Sequence, residues 1–488
     1  MRTQSIQGRR IVGSGLVARL GAALGLACAG LASGQDLGVK APPQEGPVAI
    51  VGATVHPVSG PPIAGGVVVI EQGVIASVGP ADGPAIDALR ARGVRIVEAT
   101  GKRVYPGLIG AYTHLGLQEI LAVRATLDTG EVGGATPEVK ANSAVNPDST
   151  LLPVARSGGV LVAGVFPATS FDGQLAYFSG PGGFMPGRAS VMRLDGWTWE
   201  DMTVLDDAGL VVNWPQGRPI TAWWMNRSAD EQQRDIDQAT AAIDAMFAGA
   251  RAYIDQRAGA SGSPGSPGPA GAPPTPLPTD IRYEAMRSLW GDKPRPVFVL
   301  ANDYDQIHQA VAMMQRHKVR CVIVGGLDAP ACAELLKSTG TGVIVAGVNR
   351  FPKREDSAYD EPYTLAARLE AAGIEWCMAS GETAANERNL PLAAAISVAH
   401  GLSHDAGVAA ITLRPARILG IADRYGSIEP GKSGTLILTD GDILEVATRV
   451  QAAWIDGRSI DLTDKQKVLA DKYRERYRQK DAAKDAPR

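Results

Sequence analysis

The stretch VYPGLIGAYTHLGL, residues 104–117, carries an apolar run into Tyr112-Thr113-His114. Alternate residues of a β-strand share a face, so Tyr112 and His114 project together. Two histidines at that spacing would grip a metal ion from one strand. Here one of the pair is tyrosine, an uncommon ligand for the usual catalytic metals. Glu119, Asp303 and Glu382 are the carboxylates able to join His114 in an unorthodox acid–base site. His308 and His317 are expected on the solvent side of a helix, and His400 and His404 near the end of another, where an imidazolium suits the helix dipole. Trp197, Trp199, Trp223 and Trp224, with Tyr177 and Phe178, form an aromatic group that serves either core packing or a ligand pocket. SGPGGFMPG (179–187) has no Gly-Lys-Ser/Thr ending and reads as a plain loop rather than a phosphate cradle. Cys321, Cys332 and Cys377 are odd in number, sit in apolar surroundings and contain no Cys-x-x-Cys, so they read as small buried hydrophobes.

The elements that would position these residues come from the hydrophobic pattern. Residues 47–104 hold β-branched runs and a Glu71-Gln72-Gly73 turn, the signature of a small β domain. From 294 to 425, strand-like runs (VFVL, VRCVIVG, TGVIVAG, IEWCMAS) alternate with helical ones. Four consecutive units of that kind predict a parallel sheet, and in a chain of 488 residues a (β/α)8 barrel. β character returns in SGTLILTDGD and TRVQAAWIDGRSIDL, so segments 47–104 and 428–462 are expected to form one composite β-sandwich around a barrel at 105–427. Ser228 and Glu231 form a capping box that opens a long helix reaching about Arg257. Residues 258–279 read as a flexible Gly/Pro-rich insertion, and 463–488 as a solvated charged helix and tail.

Arg2, Arg9 and Arg10 precede the small-residue run LGAALGLACAGLA (20–32), so residues 1–34 read as an export signal peptide. A general secretory signal fits best, with a twin-arginine route or lipidation at Cys28 as alternatives, and the protein is expected to be periplasmic or secreted. The run is too short for a membrane span, and none is expected in the mature chain. The net charge is −3 with a pI near 6.1. That offers no basic excess for a phosphate backbone and excludes nucleic acid as a partner.

Two segments resemble the amidohydrolase superfamily, in particular the group like imidazolonepropionase. VYPGLIGAYTHLG is similar to that family's first-strand motif, apolar-Pro-Gly-Leu-Ile-Asp-Ala-His-x-His. Residues 388–432, with Leu413-x-Pro415-Ala416 and Gly426-Ser427-Ile428-Glu429-Pro430-Gly431-Lys432, are similar to its C-terminal pattern. The resemblance implies a (β/α)8 TIM-like barrel with a composite β-sandwich, and hydrolysis of non-peptide or cyclic C–N bonds by a metal-bound hydroxide. It also shows where this chain departs. The first ligand histidine is Tyr112, and the preceding aspartate is Gly110. The strand-four lysine has no counterpart between Lys140 and Lys293. Leu300 stands at strand five, Gly325 at strand six, and Gly381 beside Glu382 at strand eight. Tyr112, His114, Leu300, Gly325, Gly381 and Glu382 are therefore expected to line the pocket, with His114 the one candidate ligand left. No cofactor is expected, and zinc only if the ligand set is intact.

Three functions follow: a C–N hydrolase working through an altered site, a catalytically silent binding protein for a small molecule, or an accessory partner of an active paralogue. The resemblance also implies a homodimer or a pairing with that paralogue.

Overall fold

The computed structural model describes residues 38–81, 83–168, 183–220, 226–262 and 278–484. The export segment 1–34, Cys28, Tyr177, Phe178, Trp223, Trp224 and most of the Gly/Pro-rich insertion lie outside the described residues.

Runs of β-branched residues on both sides of the chain's middle build one eight-stranded sheet. Its strands are β1 (Val48–Val55), β2 (Ile63–Glu71), β3 (Val74–Pro80), β4 (Arg95–Glu98), β5 (Arg103–Pro106), β14 (Leu436–Thr439), β15 (Val450–Ile455) and β16 (Arg458–Ile460). The order is β16-β15-β14-β5-β1-β2-β3, with β4 also paired to β1. The two halves of the sequence meet where β5 runs antiparallel to β14, Pro106 opposite Leu436 and Arg103 opposite Thr439. One side of this curled sheet encloses Ile50, Val68, Ile70, Val104, Leu436 and Trp454. The helix Gly83–Ala91 covers the other side, where Leu89 meets Ala49, Val51 and Val69.

The second sheet is the barrel wall: β6 (Leu108–Thr113), β7 (Val160–Val165), β8 (Gly187–Arg193), β9 (Thr203–Asn213), β10 (Val297–Ala301), β11 (Cys321–Gly325), β12 (Gly342–Ala346) and β13 (Trp376–Ala379). The strands pair in chain order from β6 to β13. Apart from the first half of β9, where Asp206 is exposed, these strands are buried on both faces, as a barrel between an inner core and an outer helical layer requires. Phe298 joins the inner cluster and Leu300 borders it, while Val297, Val299 and Ala301 belong to the outer one.

One strand departs from the expected all-parallel barrel. β8 runs antiparallel to both β7 and β9. The connection from β8 to β9 holds only residues 194–202, including the single-turn helix Trp199–Met202. Parallel neighbours need a crossover of about a dozen residues or more, so this short link returns the chain antiparallel. The long helix opened by the Ser228–Glu231 capping box runs Ala229–Gly262, beyond the expected end near Arg257.

The composite sheet sits against the floor of the barrel and is tied to it by charge. Asp195, just after β8, accepts from Arg156 on the helix Leu151–Ser157 at 3.3 Å and from Arg458 of β16 at 2.9 Å. Its side chain is 3% exposed. Removing one partner of a buried ion pair leaves uncompensated charge, at a cost of about 3–5 kcal/mol. Asp195→Ala is therefore expected to lower the unfolding free energy measured by urea titration by an amount in that range, against under about 1 kcal/mol for the exposed pair partner Asp471→Ala.

Candidate functional site

The ends of the barrel strands opposite the composite sheet form the mouth. At the end of β6, Thr113 donates its hydroxyl to the Gly164 carbonyl at 3.0 Å, and the Phe166 amide donates to the Thr113 carbonyl at 2.9 Å. This stitching fixes the two residues on either side of Thr113. The His114 Nδ1 lies 2.8 Å from the Phe166 carbonyl. A carbonyl can only accept, so Nδ1 carries a proton. Tyr112 meets the His114 ring edge-on at 5.3 Å and the Phe166 ring at 4.8 Å, and Phe166 meets Phe298 edge-on at 5.0 Å. A column of rings thus occupies the axis below the strand-one position. Such aromatic pairs contribute about 0.5–1.5 kcal/mol beyond their burial.

The other expected positions carry little donor chemistry. Leu300 of β10 is half-buried and borders the interior cluster. On β11 the inward side chains are Val322 and Val324. Gly325 ends the strand with a left-handed φ of 101°. A Cβ built on it would lie 2.2 Å from the Asn302 Oδ1. Gly381 is pressed against the end of β12, where a Cβ would stand 2.5 Å from the Ala346 carbonyl. Glu382 is half-buried and accepts from Asn349 at 3.1 Å.

The fourth strand, which sequence reading left unassigned, is β9. It ends at Asn213, whose Nδ2 donates to the Gly183 carbonyl at 3.3 Å. The signal was present in the run GLVVNW (209–214), a β-branched stretch bounded by a glycine.

The carboxylates proposed to join His114 are engaged elsewhere. Glu119 accepts from Asn146 at 3.3 Å, and burial lifts its carboxyl above the usual range. Asp303 caps the helix Tyr304–Arg316 and pairs with Lys353. Among the described residues, no three His, Cys, Asp or Glu side chains are placed to hold a metal ion. A catalytic divalent site needs about three protein ligands with one position open. His114, Asn213, Leu300, Val324 and Gly381 do not supply that set, so the residues do not fit the metal that the resemblance implies.

The strongest electrostatic anomaly was not foreseen. The pairing order of the barrel sheet ends at β13 and β6, which lie side by side without a ladder. Glu387 stands over that seam, 1% exposed. Its Oε2 accepts the Ser380 hydroxyl at 2.6 Å, and Ser380 Oγ in turn accepts from the Glu382 amide at 3.1 Å. Its Oε1 has no hydrogen-bond partner and lies 2.8 Å from where a Gly110 Cβ would stand. Burial, opposed by the Ser380 bond and reinforced by Glu382, pushes the carboxyl to about 8. Gly110 was recognised as a missing aspartate, and Glu387 now places a carboxyl against that vacancy from another element.

His317 is not on the solvent side as expected: it stacks on Phe247 at 5.3 Å, and its Nε2 reaches Asp244 at 2.8 Å, because the Ala229–Gly262 helix covers it. His400 caps the helix Leu390–Ala399. His404 begins the next helix instead of ending one, and Asp442 rather than a helix dipole holds it, at 2.9 Å. Trp197 is exposed and Trp199 rests against the outer core. Cys321, Cys332 and Cys377 are buried free thiols; burial pushes Cys332 to about 11 and Cys321 to about 12, and Cys377 higher still.

Residues 312–463 match the model of the amidohydrolase family. The amidohydrolase tasK of Hapsidospora irregularis is 25% identical over 415 residues, which is 80% of this chain and 39% of that protein. The chain thus spans well under half the length of that curated relative. An amidohydrolase structure from Thermotoga maritima MSB8 superposes with a TM-score of 0.69 at 22% identity, covering 85% of this chain and 99% of that one.

Proposed function

We propose that this chain, which matches the amidohydrolase family model over residues 312–463 and shares the fold of an amidohydrolase structure, descends from a hydrolase of non-peptide or cyclic C–N bonds and has become a catalytically silent, exported relative that binds a small molecule at its barrel mouth. The observation that carries this reading is the donor set. Tyr112, Asn213, Leu300, Val324 and Gly381 stand at five strand ends where a metal-activated water would need imidazole or carboxylate groups. The half-buried surfaces of Tyr112, His114, Leu300 and Glu382 offer apolar contact with a few polar groups, the composition of a ligand site. Export rests on the sequence of residues 1–34. No described helix is long and apolar enough to cross a membrane.

A second reading, an accessory partner of an active paralogue, is favoured by one fact: most of the curated relative's length lies outside its match to this chain. In that reading the fold works beside another polypeptide body.

The test is metal analysis of the purified mature protein after zinc loading, with a hydrolysis screen over cyclic imides, hydantoins and dipeptides. Substoichiometric zinc and no turnover are expected. Tyr112→His is expected to leave both results unchanged, since the donors on the other strands stay absent. One zinc per chain, with turnover lost in His114→Ala, would return the protein to the working hydrolases. Co-purification with a homologue carrying both strand-one histidines would favour the accessory reading.

A further inference from the structure

The helix Lys465–Lys484 leaves the body at Asp464, whose Oδ1 accepts from the Lys467 amide at 2.8 Å. Twenty residues at about 1.5 Å each make an arm about 30 Å long. Residues 471–481 are all exposed, so nothing in the protein covers this stretch.

The arm is strongly cationic. It carries eight Lys/Arg and three Asp/Glu, on a chain whose net charge is −3. Leu469, Tyr473 and Tyr477 follow at intervals of four and share one face, exposed at 41%, 48% and 58%. Arg476 and Lys480 each stand three residues after one of these tyrosines and flank the same face. Arg476 lies 6.0 Å from the Tyr477 ring centroid, and among the described residues neither Arg476 nor Lys480 joins an ion pair. Asp471 and Glu475 lie on the opposite side and are neutralised by Arg474 and Arg478, at 2.6 and 2.7 Å. The ring-bearing face is thus bordered by the cations Arg476 and Lys480 and, four residues beyond Tyr477, by Asp481, while the other two acids lie opposite.

We propose that this helix is a docking arm for an anionic phospholipid surface. Charge complementarity selects the occupant. An anionic headgroup layer is complementary to the arm's eight cations, whereas a second copy's arm is equally cationic and would repel it. Each Lys or Arg held near such a surface contributes about 1 kcal/mol, and tyrosine rings suit the headgroup level, with an apolar body and a polar tip. The acidic body does not cancel this attraction. At physiological salt the screening length is about 8 Å, so cations several turns out along the arm act independently of it.

The test uses the full mature chain and co-sedimentation with vesicles of phosphatidylglycerol and phosphatidylcholine, compared with phosphatidylcholine alone. Binding is expected only with phosphatidylglycerol, weakening as salt is raised. The double change Arg476→Glu, Lys480→Glu is expected to lower the apparent partition constant at least about tenfold, and Tyr473→Ala with Tyr477→Ala to lower it severalfold, with the body's melting temperature unchanged. Equal sedimentation with both vesicle types, or undiminished binding by the charge-reversed chain, would overturn the proposal. So would a lipid-independent dimer that the same changes dissolve, since the occupant would then be a second copy.

Discussion

Glu387→Gln is expected to raise the melting temperature at pH 8 and to remove a fall in stability that the native protein shows between pH 5 and 8. The sign follows from the proton count. The carboxyl sits at about 8 in the folded chain and near 4.5 in the unfolded one. Below pH 4.5 both states hold the proton and its full stabilisation is present. As pH rises from there to about 8, the unfolded chain releases the proton while the folded chain keeps it, so stability falls by about 1.4 kcal/mol per pH unit. Above about 8 both states are ionised and the loss is complete, amounting to several kcal/mol. Glutamine keeps the shape and can still accept from Ser380, and it does not titrate. Glu382 faces the same site and raises the cost of ionising it. The measurement is a set of thermal melts at pH 5, 6.5 and 8 for both proteins, read as the difference between them. Parallel pH profiles would show that Glu387 is not the titrating group.

Gly110→Asp, the change that restores the family's first-strand aspartate, is expected to destabilise the protein by more than about 3 kcal/mol. A Cβ at residue 110 would lie 2.7 Å from Thr113 Cγ2 and 2.8 Å from Glu387 Oε1. Both are closer than real Cβ contacts, and the new carboxyl would enter a dry seam already holding one acid. Overpacking and an unpaired buried charge add in the same direction. Glu387→Ala in the same chain should recover a large part of the loss, because it vacates the space and removes the second acid. A double-mutant cycle on denaturant midpoints measures this coupling. Strictly additive effects would mean that the two positions do not compete for one site.

Both expectations show which parts of the molecule were legible in the chain. Strands such as VFVL and VRCVIVG were readable because barrel strands are buried on both faces and leave continuous apolar runs. The C-terminal pattern around Leu413-x-Pro415-Ala416 marked the family segment, which the match to residues 312–463 covers. The direction of β8 was not readable, since direction depends on the length of a connection whose ends are known only once the strands are placed. Glu387 was hidden for a different reason. It lies in a short turn of helix, Ala384–Asn389, with nothing local to mark it as buried. Only the absence of a side chain at Gly110, far earlier in sequence, hints that some other group fills that space. Asn213 is not marked in the sequence, because the strand-four position is expected to carry lysine or glutamate and an asparagine after GLVV reads as a strand end.

The reversed third strand also decides which segments can remodel which end of the molecule. In a uniformly parallel barrel, the loop after each strand shapes the mouth. Here β8 begins at the mouth with Gly187 and ends at the floor with Arg193, which pairs with Asp456 of the composite sheet. Insertions at 194–202 would therefore alter the joint between the two sheets and leave ligand selection untouched, whereas the loop entering β8 acts on the mouth. A library aimed at new binding specificity has seven loops at the mouth to vary, one of them the connection from β7 into β8.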